Sequence, residues 1–125
     1  MTADELRALD AEVAILIFGW KRGNPDRGDH AWLKPTADKR YSGGFEQTPV
    51  LPKFSDDIAA AWRVAEKSVG MVKLARVWKD DPPTAFEFEC SLRFEQGVGF
   101  ARAASAPLAI CKAALAAVAG SPSPG

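Results

Sequence analysis

Apolar residues along the first eighteen positions recur at three- and four-residue steps. Leu6, Leu9, Val13, Leu16 and Ile17 fall on one stripe, while Asp4, Arg7, Asp10 and Glu12 take the other side. That period predicts an amphipathic helix. Thr2 with Glu5 forms a capping box at its start, and Gly19 supplies a stop. A second helix is expected after Ser55 as cap. Asp56 and Asp57 stand in its first turn, Ile58, Ala61, Trp62 and Ala65 form its core-facing stripe, Val69 lies near its end, and Gly70 stops it. A third helix is expected after Ser105, with Pro107 in its first turn and Leu108, Cys111, Leu115 and Val118 as the stripe.

Between the second and third helices the period changes from about 3.6 to two. Thr84, Phe86, Phe88, Cys90, Leu92 and Phe94 alternate with Ala85, Glu87, Glu89, Ser91, Arg93 and Glu95. One wet face on a strand argues for an antiparallel sheet, because parallel strands are usually covered on both sides. Met71 to Lys79 reads as a strand ended by Asp80-Asp81-Pro82-Pro83. Gly97 and Gly99 read as a loosening before a short strand at Phe100 to Ala103. Gly23 to Asp29 holds only turn formers, which predicts a hairpin with short strands around Trp20 and Trp32. Pro35 to Ser55 is the longest irregular stretch. The expected fold is α+β: three helices packed on a mainly antiparallel four- to five-stranded sheet, in the order α-β-β-α-β-β-(β)-α. Residues 1–120 form a single domain, and 121–125 a disordered tail.

A chain of 125 residues with 47% apolar content suits one core. Sixteen basic residues cancel sixteen acidic ones, so the field that gathers a protein onto nucleic acid or an anionic membrane is absent. No apolar run approaches the roughly 18–20 residues of a membrane span, and Met1 to Arg7 includes two acids instead of a basic leader. A cytoplasmic protein is expected. Cys90 and Cys111 are unsuited by spacing to a disulfide framework or a zinc site, and Cys111 reads as a small buried hydrophobe.

Three blocks carry a family resemblance. Leu51-Pro52-Lys53-Phe54-Ser55-Asp56-Asp57-Ile58-Ala59-Ala60-Ala61-Trp62-Arg63-Val64-Ala65-Glu66-Lys67 resembles the central helix entry of the phage ABA sandwich domain family of small tailed-phage proteins. Ala106-Pro107-Leu108-Ala109-Ile110-Cys111-Lys112-Ala113-Ala114-Leu115 resembles its C-terminal helix, and Phe18-Gly19-Trp20 the Gly-Trp pair closing its first helix. Together they reach from about residue 6 to residue 118. The resemblance implies a phage or prophage origin and an α/β/α sandwich, and supplies no reaction. Helices on both faces would cover the polar side of the alternating strand, so that strand is expected at a sheet edge or projecting from it.

Catalytic candidates are few. His30 sits in a turn, Asp56 and Asp57 are explained by the helix start, and there is no phosphate loop, Gly-x-Ser-x-Gly elbow or His-Glu-x-x-His pair. No catalytic residue, metal or cofactor is expected. Binding has a better case. Between Trp20 and Tyr41, Lys21, Arg22, Arg27, Lys34, Lys39 and Arg40 outnumber Asp26, Asp29 and Asp38, with Trp32 interleaved. Rings that stack on a base beside cations that meet phosphate are the ingredients of nucleotide recognition. The expected ligand contacts are Trp20, Lys21, Arg22, Trp32, Lys34, Arg40 and Tyr41. Phe54 and Ser55 join them because a helix N-terminus receives anions. The expectation is a non-enzymatic phage accessory protein that sequesters a small phosphorylated, nucleotide-like ligand, such as an immune signal of the host, as a homo-oligomer. The rival readings are an interaction module docking on a host or phage protein through an apolar edge, and an RNA-binding domain.

Overall fold

A computed structural model describes residues 2–22, 32–36, 44–48, 51–70, 72–78 and 86–119, the side chains of Gln47, Trp78 and Phe86 excepted. In chain order the elements are α1 (Ala3–Phe18), β1 (Lys21–Arg22), β2 (Trp32–Pro35), β3 (Phe45–Thr48), α2 (Ile58–Glu66), β4 (Lys73–Trp78), β5 (Phe86–Phe94), β6 (Gly97–Ala103) and α3 (Ala106–Val118). The class is α+β. The strands form two three-stranded antiparallel sheets, β1-β2-β3 and β4-β5-β6, where one sheet of four or five strands was expected. The order is therefore α-β-β-β-α-β-β-β-α. The missed strand, β3, lies inside the stretch read as irregular. Its four residues are too few for alternation to stand out, and its register against β2 sets Glu46 opposite Lys34, an attraction that no local pattern reveals.

α1 begins at Thr2 as expected, its hydroxyl accepting from the Glu5 N–H at 3.1 Å, while Glu5 Oε1 meets that hydroxyl at 3.3 Å. It ends at Gly19, whose φ of 73° is left-handed. The Gly19 and Trp20 N–H groups both donate to the Ala14 carbonyl, so the chain reverses directly after Phe18. Two expectations for α1 need correction: Leu16 is 52% exposed and Asp10 is buried at 1%. The inward face is Asp10, Ala11, Val13 and Ala14, rotated from the stripe of larger side chains.

α2 departs from expectation in the same way. Its cap is Asp57, whose side chain accepts from the Ala59 N–H at 2.9 Å, and not Ser55. Ser55 and Asp56 lie in the turn before the helix, where the Asp56 and Asp57 N–H groups donate to the Lys53 carbonyl. Trp62 does not face the core. It is 48% exposed and Ile58 is 51% exposed, while Ala60, Ala61, Val64 and Ala65 are buried. A face of alanine and valine lets α2 approach α3 closely, and the large side chains are left at its margin.

α3 is the hub, packing on β5 and β6 on one side and meeting α1 and α2 on the other. Ser105 caps it, accepting from Leu108. The buried face is Ala109, Ile110, Cys111, Ala113, Ala114 and Ala117; Leu108, Leu115 and Val118, expected in the stripe, are only partly buried. β5 places Phe88, Cys90, Leu92 and Phe94 opposite Ala103, Ala101, Gly99 and Gly97 of β6. Large residues on one strand therefore face small ones on the next, and α3 settles over the small ones. The glycines read as a loosening are ladder positions of β6. β5 is the central strand of its sheet and not an edge. Its polar alternation is met on the face away from α3, where Arg102 Nε donates to Glu89 Oε1 at 2.6 Å and Arg93 is exposed.

Candidate functional site

The reversal at Gly19 brings the end of α1 against the segment that leads into α2. The Phe18 and Phe54 rings stack there, with centroids 5.2 Å apart and planes inclined by 13°. Beside them opens a groove of about 560 Å³ lined by Phe18, Trp20, Pro52 and Phe54, with Lys34, Glu46 and Thr48 from β2 and β3 and Arg63, Glu66 and Lys67 from α2 and its C-terminal end. One wall thus belongs to the helices and the other to the smaller sheet.

The charges on this lining are three cations and two carboxylates. Lys34 Nζ lies 3.9 Å from Glu46 Oε1, with both side chains partly in water, a pair that contributes little to stability and remains free to rearrange. Lys67 Nζ stands 5.6 Å from the Phe18 ring centroid, a cation–π contact that holds the ammonium at the mouth of the stack.

Of the residues expected to contact a ligand, Trp20, Lys34 and Phe54 come together on this lining. Trp20 is 8% exposed, so it contributes a ring edge to the wall and not a platform. Trp32 is buried against Trp20, their centroids 6.3 Å apart, and Arg22 Cζ lies 5.0 Å from the ring of Trp32. Lys21 is similarly engaged, its Nζ 4.5 Å from the Phe45 centroid. Neither Lys21, Arg22 nor Trp32 lines the groove. Ser55 is buried, its N–H donating to Asp10 Oδ1 at 2.8 Å and its hydroxyl without a partner among the described residues. As it is not the cap, it does not present a helix start to an anion. Arg40 and Tyr41 lie outside the described residues, as do His30, Arg27 and Lys39.

The residues that sequence reasoning missed are Phe18, Glu46, Thr48, Pro52, Arg63, Glu66 and Lys67. A signal was present for the last three, since positions 63, 66 and 67 share one side of a helix at i, i+3 and i+4. Attention to the apolar stripe of α2 passed over its polar face.

Residues 11–115 match the model of the phage ABA sandwich domain, a stretch from the middle of α1 to α3. The chain belongs to the phage ABA sandwich domain family. Every groove residue lies inside the matched stretch. A similar solved structure is the crystal structure of a phage protein from Bacillus cereus ATCC 14579, 27% identical, with a TM-score of 0.63 over 94% of this chain and 96% of that one. No curated protein matches. The two-sheet, three-helix arrangement is thus how this member of the family builds its sandwich.

The described lining holds no His, Cys or Ser. Both thiols are fully buried elsewhere. Burial pushes Cys90 up to about 11 and Cys111 up to about 12, the latter also raised by the nearby Asp10 and Cys90 charges. Both therefore stay protonated and inert near neutral pH. Rings, cations and carboxylates, as arranged in the groove, supply stacking, charge pairing and hydrogen-bond acceptance. Among the described residues no helix is long and apolar enough to cross a membrane.

Proposed function

We propose that the groove binds a small phosphorylated, nucleotide-like ligand, and that the protein is a non-enzymatic phage accessory factor that sequesters this ligand in the host cytosol as a homo-oligomer. A nucleotide immune signal of the host is the ligand this reading favours. One observation carries it: the part-exposed Phe18 ring, backed by Phe54 and edged by Trp20, shares a groove of about 560 Å³ with Lys34, Arg63 and Lys67. That volume falls within the roughly 300–1,000 Å³ of small-molecule sites. Three cations suit one or two phosphates, while a nucleic-acid backbone needs a longer positive track. Glu46 and Glu66 would accept from ligand hydroxyl or amino groups.

Thermal melting against a panel of cyclic and linear nucleotides tests the reading, because a ligand of the folded state alone stabilises it by about 2.7 kcal/mol at a hundredfold excess over Kd. A raised midpoint with at least one nucleotide, lost in Lys67→Ala, is the expected result. No shift at millimolar concentration with any of them would sink it, and native mass spectrometry reads subunit number and retained ligand together.

A second reading is favoured by a different observation. Val98 and Phe100 on the open face of β6 are 68% and 57% exposed, which suits an interaction module docking on a host or phage protein. Stoichiometric copurification that is lost in Phe100→Ser, with no nucleotide shift, would favour that alternative.

A further inference from the structure

The segment between β3 and α2 carries Pro52 and Phe54, two of the groove's lining residues, yet Leu51 to Lys53 belong to no helix or strand. Something outside the groove must fix it. A short turn does part of this, as the Asp56 and Asp57 N–H groups close on the Lys53 carbonyl at 3.0 and 2.8 Å. The segment's two ends are held by α1. Arg7 Nη2 donates to the Leu51 carbonyl at 2.9 Å, and the Ser55 N–H donates to Asp10 Oδ1 at 2.8 Å. The two gripping side chains are themselves joined, Arg7 Nη1 lying 3.0 Å from Asp10 Oδ2. Each partner is used twice: the guanidinium forks between a carboxylate and a carbonyl, and the carboxylate divides its oxygens between a cation and an amide.

From this circuit we infer that Arg7 and Asp10 are positioning residues of the groove, a clamp that sets where the Phe54 ring stands against Phe18. The planar fork suits the task, since Nη1 and Nη2 reach two separate acceptors in a fixed geometry, whereas a lysine has one nitrogen on a flexible stem. Asp10 is 1% exposed, and at that depth its two oxygens are met by the Arg7 guanidinium and the Ser55 amide. Both residues precede the matched family stretch, which starts at residue 11. The clamp's consequence for binding rests on the proposed function; its consequence for Phe54 does not.

The test uses the full chain with Arg7→Gln, Asp10→Asn as a milder second variant that keeps the Oδ1 acceptor, and Arg102→Gln as a control on a surface ion pair away from the groove. Amide exchange and ring–ring NOEs are recorded by NMR without ligand, and ADP is the probe for affinity. In Arg7→Gln the Ser55 amide should exchange at least about tenfold faster and the Phe18–Phe54 NOEs weaken, while amides of β4 to β6 keep their protection. Arg102→Gln should change none of these. If Arg7 acts through Phe54, the losses of ADP affinity in Arg7→Gln and Phe54→Leu will not add in the double variant, the mark of a positioning role that general destabilisation would not leave. Unchanged Ser55 exchange and ring NOEs in both clamp variants would overturn the inference. So would a uniform rise in exchange across β4 to β6, which would make the pair a general stabiliser. Should the wild type not take up ADP, exchange and NOEs still decide the clamp, and the failure falls on ADP as ligand.

Discussion

Gly99 is the position where a single methyl group does most damage. It lies in β6 beneath α3, and a Cβ built there would stand 1.8 Å from the Ala113 carbonyl oxygen, 2.6 Å from the Ala117 nitrogen and 2.9 Å from the Ala113 carbonyl carbon. All three are helix backbone, so no side chain can swing aside. To restore a contact of about 3.4 Å, α3 must retreat by roughly 1.5 Å. The retreat lifts the buried face of Ala109, Ile110, Ala113, Ala114 and Ala117 off the sheet and loosens the contacts of α1 and α2 with the same helix. Overpacking of a close-packed core costs about 1–3 kcal/mol, and the backbone nature of this clash puts Gly99→Ala at the top of that range. An opposing effect exists: removing a glycine narrows the unfolded ensemble and stabilises by about 0.4–1 kcal/mol where the native conformation permits. The net expectation is a loss of about 2–3 kcal/mol. For a domain of this size that is a fall in Tm of roughly 10 °C. Differential scanning calorimetry on Gly99→Ala, with Val98→Ala as the exposed neighbour expected to stay within about 0.5 kcal/mol, measures it. A variant as stable as the wild type, or more so, would refute the reasoning, because the unfolded-state term would then be acting alone and α3 could not lie over Gly99 as described.

The remaining predictions concern the second helix and the thiols. Asp57→Ala removes the N-cap of α2 and should cost about 1 kcal/mol in chemical denaturation, whereas Ser55→Ala should be neutral or stabilising, since its buried hydroxyl has no partner among the described residues. The reverse ranking would restore Ser55 as the cap. Cys90 and Cys111 should resist a thiol reagent until denaturant is added. Their ionisation is raised in the folded state to about 11 and about 12 from 9.0, so below pH 9 both states keep the protons and the thiols add no pH dependence. Above pH 9 the unfolded thiols ionise first, and stability should fall as pH climbs towards 11 to 12. Denaturant midpoints from pH 8 to 11 check this against Cys111→Ala, in which the alkaline slope should flatten; equal slopes would refute it.

Elements whose signals are local were legible from sequence. The Thr2 cap, the left-handed Gly19, the Ser105 cap and the two-residue period of β5 each depend on neighbours within a few residues, and each stands where the pattern put it. The errors share a physical cause. A hydrophobicity pattern ranks Ile58, Trp62 and Leu16 above alanine, but helices that pack at close range select for smallness, so α1 and α2 turn alanine and valine inward and leave the bulky residues at the margin. Gly97 and Gly99 were misread for the same reason. The site suffered from a different limit. Trp32, Lys21 and Arg22 have the composition of a binding patch, yet within the smaller sheet the Trp32 ring takes up Arg22 and the Phe45 ring, from β3, takes up Lys21. Phe18, Phe54 and Lys67 come together only after two chain reversals, at Gly19 and before α2, which no spacing rule anticipates.

The division of the strands into two sheets bears on how the groove would work. The β4-β5-β6 sheet is bound to α3 along its length, and α3 to α1 and α2, so that half of the molecule should open only with global unfolding. The smaller sheet contributes the buried indole of Trp32 to the core, with Trp20 beside it just before β1. The groove runs between the helices and the smaller sheet, with Phe18, Phe54, Arg63 and Lys67 on one side and Lys34, Glu46 and Thr48 on the other. A ligand touching both walls would bridge the two, and its anionic group would compete with Glu46 for Lys34. Amide protection in β2 and β3 should consequently rise on binding by more than protection in β4 to β6, since the lining takes Lys34, Glu46 and Thr48 from the former and no residue from the latter.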